Sequence, residues 1–177
     1  MQIRCFVFTD AHLFQEFQHD LDHELMGVRL YDGTLLKPTR VAYDLRRDYL
    51  VMEFPLEDVS TKLKPLKFFN SARIQVGKTI NYIKPSSEGV VSTGTIAPRD
   101  PLVKRFDQNP LITLDAQIER GCSGCPIVDE NGYVYGFIKA FYYSEKPEYN
   151  GKSFAIRSND FLEFAVQKFA GDRIRRS

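Results

Sequence analysis

The sequence predicts an all-β chain closed by a single C-terminal helix. Three observations support this: many short β-branched and aromatic runs, turn residues between them at regular spacing, and one terminal segment with helical periodicity. The expected strands run Ile3 to Thr9, Gly27 to Tyr31, Arg40 to Leu45, Tyr49 to Phe54, Ala72 to Gln75 and Thr79 to Ile83. They continue with Gly89 to Ile96, Leu111 to Leu114, Pro126 to Val128, Tyr133 to Tyr143 and Ser153 to Arg157. Asp32-Gly33, Lys84-Pro85-Ser86-Ser87, Glu130-Asn131-Gly132 and Asn150-Gly151 are the turns. Many short strands so spaced read as a barrel or sandwich.

The helix follows the last strand. Phe161, Leu162, Phe164, Ala165 and Phe169 recur at helical spacing, Ser158 or Asn159 can cap the start, and Gly171 ends it. The stretch from His12 to Leu25 reads as a short helix or a loop, because its apolar residues do not settle on one face. A Lys-, Pro- and Glu-rich break at residues 56–70 separates two candidate barrels. A length of 177 residues suits one domain, or two small barrels sharing a core.

The bulk numbers exclude several classes. Net charge is +1 with both signs spread along the chain, which gives no electrostatic case for nucleic acid or a membrane surface. The basic tail Arg173-Ile174-Arg175-Arg176 reads as a solvated terminus. No apolar run reaches transmembrane length, and Met1-Gln2-Ile3-Arg4 lacks a signal-peptide layout. Three cysteines argue against a disulfide framework. Together these predict a cytoplasmic protein.

The stretch Gly121-Cys122-Ser123-Gly124-Cys125-Pro126 carries the most chemical information. A serine between two glycines, between two β-like runs, is a candidate nucleophile; by itself it also fits an ordinary turn. Catalysis by serine needs a base to take the hydroxyl proton, a carboxylate to orient that base, and N–H donors for the oxyanion. His12 ends the apolar run from Ile3, and a strand end holds a side chain rigidly. Asp48 opens the strand Tyr49 to Phe54, with Asp44 as the alternative carboxylate. His19 and His23 lie in a polar stretch and read as solvated. Cys122 and Cys125 form a Cys-x-x-Cys, which reads either as two small packed residues or as a redox or zinc pair. The spacing supplies no further ligand for a metal site, so neither a metal nor a cofactor is expected.

The chain order His12, Asp48, Ser123 is that of the chymotrypsin type. Phe8-Thr9-Asp10-Ala11-His12 resembles the Leu-Thr-Asn-Ala-His segment of trypsin-like serine proteases of the HtrA/DegP-type branch. Asp44 to Met52 is similar to that branch's Asp-x-x-x-Asp-Leu-Ala-Val-Leu, and Val76-Gly77 with Val91 to Ile96 to its Val-Gly … Val-Thr-x-Gly-Ile-Val. Leu114-Asp115-Ala116 and Arg120 to Val128 resemble its Thr-Asp-Ala … Arg-Gly-Asn-Ser-Gly-Gly-Pro-Leu-Val. Asn131 to Gly136 and Phe154 to Ser158 are similar to later strands, so the resemblance covers nearly the whole chain.

The resemblance implies two antiparallel β-barrels of chymotrypsin type and a C-terminal helix. The first barrel would take residues 1–60 with the histidine and aspartate, the second 70–157 with the serine, and the helix 158–171. It implies His12 as general base, Asp48 as its orienting carboxylate, Ser123 as nucleophile, and the N–H groups of Gly121 and Ser123 as the oxyanion hole. Gln117 would lie near the base of the specificity pocket, and Lys139, Ala140 and Phe141 on the strand that pairs with a peptide substrate. The implied function is that of a serine endopeptidase, with a protein or peptide as substrate.

The chain departs from the family pattern in three places. Only eleven residues precede His12, so the expectation is that the first barrel is short, that another chain or element completes it, or that the chain is a fragment. Its exposed edge could take an activating protein partner or a second copy. Cys125 stands where the family has a second glycine, and Phe141 where it has a small residue at the pocket mouth. The remaining length leaves no room for a PDZ domain. The competing expectation is a latent protease-like fold that binds peptides or regulates a partner.

Overall fold

The computed structural model describes residues 4–13, 27–55, 64–84, 89–99, 111–141 and 152–170. The expectations for His19, His23, Gly171 and the basic tail fall outside these residues. The chain divides into two compact units, Met1–Pro65 and Leu66–Ser177.

The first unit is built on a three-stranded antiparallel sheet. Its strands are β1 (Arg4–Asp10), β4 (Arg40–Asp44) and β5 (Tyr49–Pro55), in the order β1-β5-β4. A small hairpin of β2 (Val28–Arg29) and β3 (Leu35–Leu36) accompanies it. Asp32 Oδ1 accepts the Thr34 N–H at 2.9 Å in the turn between them, as expected for Asp-Gly. The central strand β5 is buried from Tyr49 to Phe54. Its alternate residues Leu50, Met52 and Phe54 join Leu36 and Ala11 in one apolar cluster, with Val7, Val28 and Val41 packed against it.

The second unit is a closed barrel. Its strands are β7 (Thr79–Ile83), β8 (Val91–Ile96), β9 (Ile112–Asp115), β10 (Pro126–Val128), β11 (Tyr133–Phe141) and β12 (Lys152–Arg157). They run in the order β10-β7-β8-β9-β12-β11, and the additional β10–β11 pairing closes the ring. Ile80, Leu114, Ile127, Ile138 and Ala155, all at most 1% exposed, fill its core together with Cys122. This is the fold class that the sequence predicts: mostly antiparallel strands, chymotrypsin-like, with one C-terminal helix, α1 (Ser158–Phe169).

Two local expectations are corrected. Ala72 to Gln75 is not a strand; Ser71–Arg73 forms a 3-10 turn, capped by the Asn70 side chain, which accepts the Ala72 N–H at 3.1 Å. Neither Ser158 nor Asn159 caps α1, whose N-cap position is Arg157 with no side-chain cap bond. Instead Ser158 Oγ donates to the Phe69 carbonyl at 2.8 Å. Asn159 Oδ1 accepts from the Ser71 N–H at 3.1 Å, and its own N–H donates to Ser71 Oγ at 3.2 Å. A partner 88 residues away satisfies these groups, and local periodicity cannot reveal it. The short parallel strand β6 (Lys67–Phe68) beside β11 is a further element beyond those the sequence predicts.

Candidate active site

Within the first unit, Asp48 grips His12 twice. Its Oδ1 accepts the His12 backbone N–H at 2.7 Å, and its Oδ2 lies 2.9 Å from His12 Nδ1. The Ala11 N–H donates to the Asp48 carbonyl at 3.2 Å. The Asp48 side chain is 8% exposed and that of His12 37%. The carboxylate is thus sheltered, while the imidazole keeps one side open.

Local structure explains this aim. Asp10 pairs with Tyr49 at the end of β1, and Asp44 pairs with Tyr49 at the end of β4. The β4–β5 loop brings Asp48 to the same level with φ of 66°, a left-handed conformation that Asp and Asn tolerate better than other side chains. Asp44, the alternative carboxylate, accepts the Arg46 and Arg47 N–H groups at 3.0 and 3.1 Å and so stabilises the loop. A third carboxylate, Asp10, is fully buried with Oδ2 3.9 Å from His12 Nδ1. No other charged side chain among the described residues forms an ion pair with His12.

In the second unit the serine loop is held by its backbone. Cys125 N–H donates to the Cys122 carbonyl at 2.9 Å, Gly124 N–H to Ile138 at 2.8 Å, and Ile138 N–H to Cys125 at 2.8 Å. Gly121 and Gly124 take φ of 92° and 79°, where a side chain would be strained. Cys122 is fully buried in the barrel core and anchors the loop from below. The N–H groups of Gly121 and Ser123 donate to no acceptor among the described residues. Ser123 Oγ makes a long contact of 3.4 Å to the Lys139 carbonyl. Cys5, Cys122 and Cys125 are free thiols.

Gln117 lies on an exposed turn between β9 and this loop. Its carbonyl accepts from Tyr82 Oη at 2.8 Å, and the neighbouring Ala116 carbonyl from Ser153 Oγ at 3.2 Å. Gly94 lets β8 approach this turn, since a Cβ there would come within 2.5 Å of the Ala116 Cβ. Lys139, Ala140 and Phe141 lie on β11, where Ala140 pairs with Phe154 and Phe141 with Ser153. The expectation for the Phe141 ring falls outside the described residues. Sequence reasoning passes over Asp10, Tyr82 and Ser153. For Asp10 a signal exists: an acid stands where the resembled segment has Asn.

This barrel and its serine loop define a class. The chain belongs to the trypsin-like peptidase domain family, whose model matches residues 3–137. The more particular likeness is to the HtrA/DegP-type branch. A probable periplasmic serine endoprotease DegP-like of Halomonas elongata is 27% identical over 164 residues, 92% of this chain and 32% of that one. Its namesake in Pseudomonas fulva is 26% identical over 157 residues, 88% of this chain and 32% of that one. The chain thus spans about a third of the length of these relatives. Among solved structures, the HtrA-type protease AlgW with a decapeptide superposes with a TM-score of 0.71 at 21% identity, covering 93% of this chain and 49% of AlgW. The inactive form of the Rv3671c protease gives 0.64 at 18% identity, covering 92% and 78%.

These relatives overturn the cytoplasmic expectation, because they are periplasmic proteases by name. The physical reason is simple. An odd number of thiols reports that a fold needs no disulfide framework, and a fold with a sufficient core can do without one in either compartment. No helix among the described residues is long and apolar enough to cross a membrane.

Proposed function

We propose that this chain is a serine endopeptidase in which His12, Asp48 and Ser123 form the catalytic triad. The observation that carries the proposal is the paired imidazole and carboxylate, with Asp48 Oδ2 2.9 Å from His12 Nδ1. That contact keeps the Nδ1 proton in place and leaves Nε2 as the basic atom. The proposal draws its base from the first unit and its nucleophile from the second.

In the proposed reaction His12 Nε2 takes the Ser123 hydroxyl proton as Oγ attacks the scissile carbonyl carbon. The developing oxyanion is received by the Gly121 and Ser123 N–H groups, which donate to no acceptor among the described residues. His12 then returns the proton to the leaving amine as the C–N bond breaks, and an ester on Ser123 remains. Water, deprotonated by the same base, hydrolyses it. Asp48 stays ionised and balances the imidazolium. No cofactor takes part.

The substrate is a protein or peptide chain, in keeping with the decapeptide in the AlgW structure. It pairs along Lys139, Ala140 and Phe141. Gln117 is neutral, so small or medium uncharged side chains are preferred over Arg or Lys. Activity depends on a protein partner or a second copy; Cys125, in place of the second glycine after the nucleophile, favours a loop that needs such help. The relatives' names support a periplasmic setting.

A fluorophosphonate probe tests this. Labelling of the wild-type chain that disappears in Ser123→Ala is the expected result, whether the chain is alone, at concentrations where two copies associate, with added peptide or with an added partner protein. No labelling under any of these conditions would overturn the protease in favour of a latent peptide-binding fold.

A further inference from the structure

Asp10 stands apart from the machinery described so far. It ends β1 with no exposure, and its Oδ2 is 3.9 Å from the same Nδ1 that Asp48 holds. Oxygen atoms of both carboxylates and a ring nitrogen of His12 lie within 4.8 Å of one another. We propose that Asp10 is a second positioning carboxylate for His12, able to accept the Nδ1 proton when Asp48 cannot.

The position of Asp10 is set by backbone. The β1–β5 ladder pairs it with Tyr49, the residue after Asp48, and only Ala11 separates it from His12. Both oxygens of Asp48 are engaged with His12, one on the main chain and one on the ring, so the imidazole is held at a known angle. The Asp10 oxygen lies about 1 Å beyond ordinary N–H···O distance. Attraction between Asp10 and the imidazolium falls only as the inverse of distance, far more gently than a hydrogen bond. Among the described residues Asp10 and Asp48 are the charged groups that pair with this ring. The inference rests on the assignment of His12 as the general base.

Asp48→Asn makes the test. Asparagine tolerates the left-handed φ of 66° and can still accept the His12 N–H, so the loop is retained. Its amide N–H groups, however, would face Nδ1 and favour the wrong tautomer, a change that costs about 10⁴-fold in kcat when a triad has a single carboxylate. With Asp10 as reserve acceptor, Asp48→Asn keeps at least about tenfold more kcat/KM than the double variant Asp48→Asn/Asp10→Asn, with KM unchanged between them. Equal activity in the two would overturn the inference.

A second readout needs no turnover. In the full chain carrying Ser123→Ala, the low-field proton resonance of a His12 Nδ1–H held by a carboxylate is expected to persist in Asp48→Asn and to vanish in the double variant. Its loss in Asp48→Asn alone would overturn the inference, and that measurement stands even where an Asp10 substitution unfolds the chain. The two proposals fail separately. A chain that never labels with fluorophosphonate yet shows this resonance pattern loses the protease assignment and keeps only the bond from His12 to Asp10. A chain that labels but lacks the pattern keeps the protease and loses Asp10.

Discussion

The two units hold their chemistry by different means. In the first, residues 1–65, the work falls to side chains: one carboxylate in a left-handed turn supports both the main chain and the ring of His12. In the second, residues 66–177, it falls to the backbone: Ser123 sits on a loop joined to β11 by two main-chain bonds and closed by a third within itself, with glycines at its bends. A side-chain site depends on the identity of a few side chains. A backbone site tolerates most side-chain changes and fails where a dihedral angle or a core anchor is disturbed.

The largest effect expected is on turnover. Ser123→Ala and His12→Ala should each lower kcat by about 10⁴-fold or more, and the pair together scarcely further, as measured on an uncharged peptide amide. Additive losses would show that the two units do not contribute to one mechanism. Next come the cores. Leu50→Ala in the first unit and Ile127→Ala in the second, 1% and 0% exposed, should each cost about 2–5 kcal/mol. Hydrogen exchange read separately over residues 27–55 and 111–141 should assign each loss to its own unit. A loss spread evenly over both would mean that they unfold as one.

Gly121→Ala should cost about 1–2 kcal/mol, because φ of 92° is strained for any side chain. Urea unfolding measures this cost, and an unchanged stability would show that the φ of Gly121 relaxes without strain. Asn159→Ala removes the acceptor for the buried Ser71 N–H and should cost about 1 kcal/mol in urea unfolding, with Ser123 chemistry unaltered.

The smallest effect is on alkaline stability. Burial pushes the phenols of Tyr82 and Tyr135 up from 10.0, and the Cys5 thiol up from 9.0. A raised value means that the folded form holds its proton longer than the unfolded one. The associated stability is therefore complete below the unfolded value and is lost as pH rises through the folded one. The first unit should begin to weaken above about pH 9, and the second only above about pH 10. Cys5→Ala should remove the earlier phase; its persistence would place the titration elsewhere.

Much of this was legible in the chain itself. Period-two patterning and turn residues are local properties, so most strands and the terminal helix could be read directly. The same is true of candidate chemistry: a serine between glycines, a histidine at a strand end, an aspartate opening β5. The failures were also local in kind. Ala72 to Gln75 has the composition of a strand, yet Asn70 and a distant Asn159 turn it into a cap. The cysteine count bears on disulfides and does not fix the compartment.

By itself, then, the sequence determined the fold class and the residue types available for catalysis, because both follow from side-chain chemistry at short range. Tertiary structure alone supplied the contact itself, Asp48 Oδ2 at 2.9 Å from His12 Nδ1, across 36 residues. It also decided that Asp10 faces the same nitrogen, that Ser71 docks the helix, and that β10 closes the barrel against β7 and β11. Each of these depends on strand register and loop conformation. They bring together groups whose separation along the chain carries no signal of their meeting.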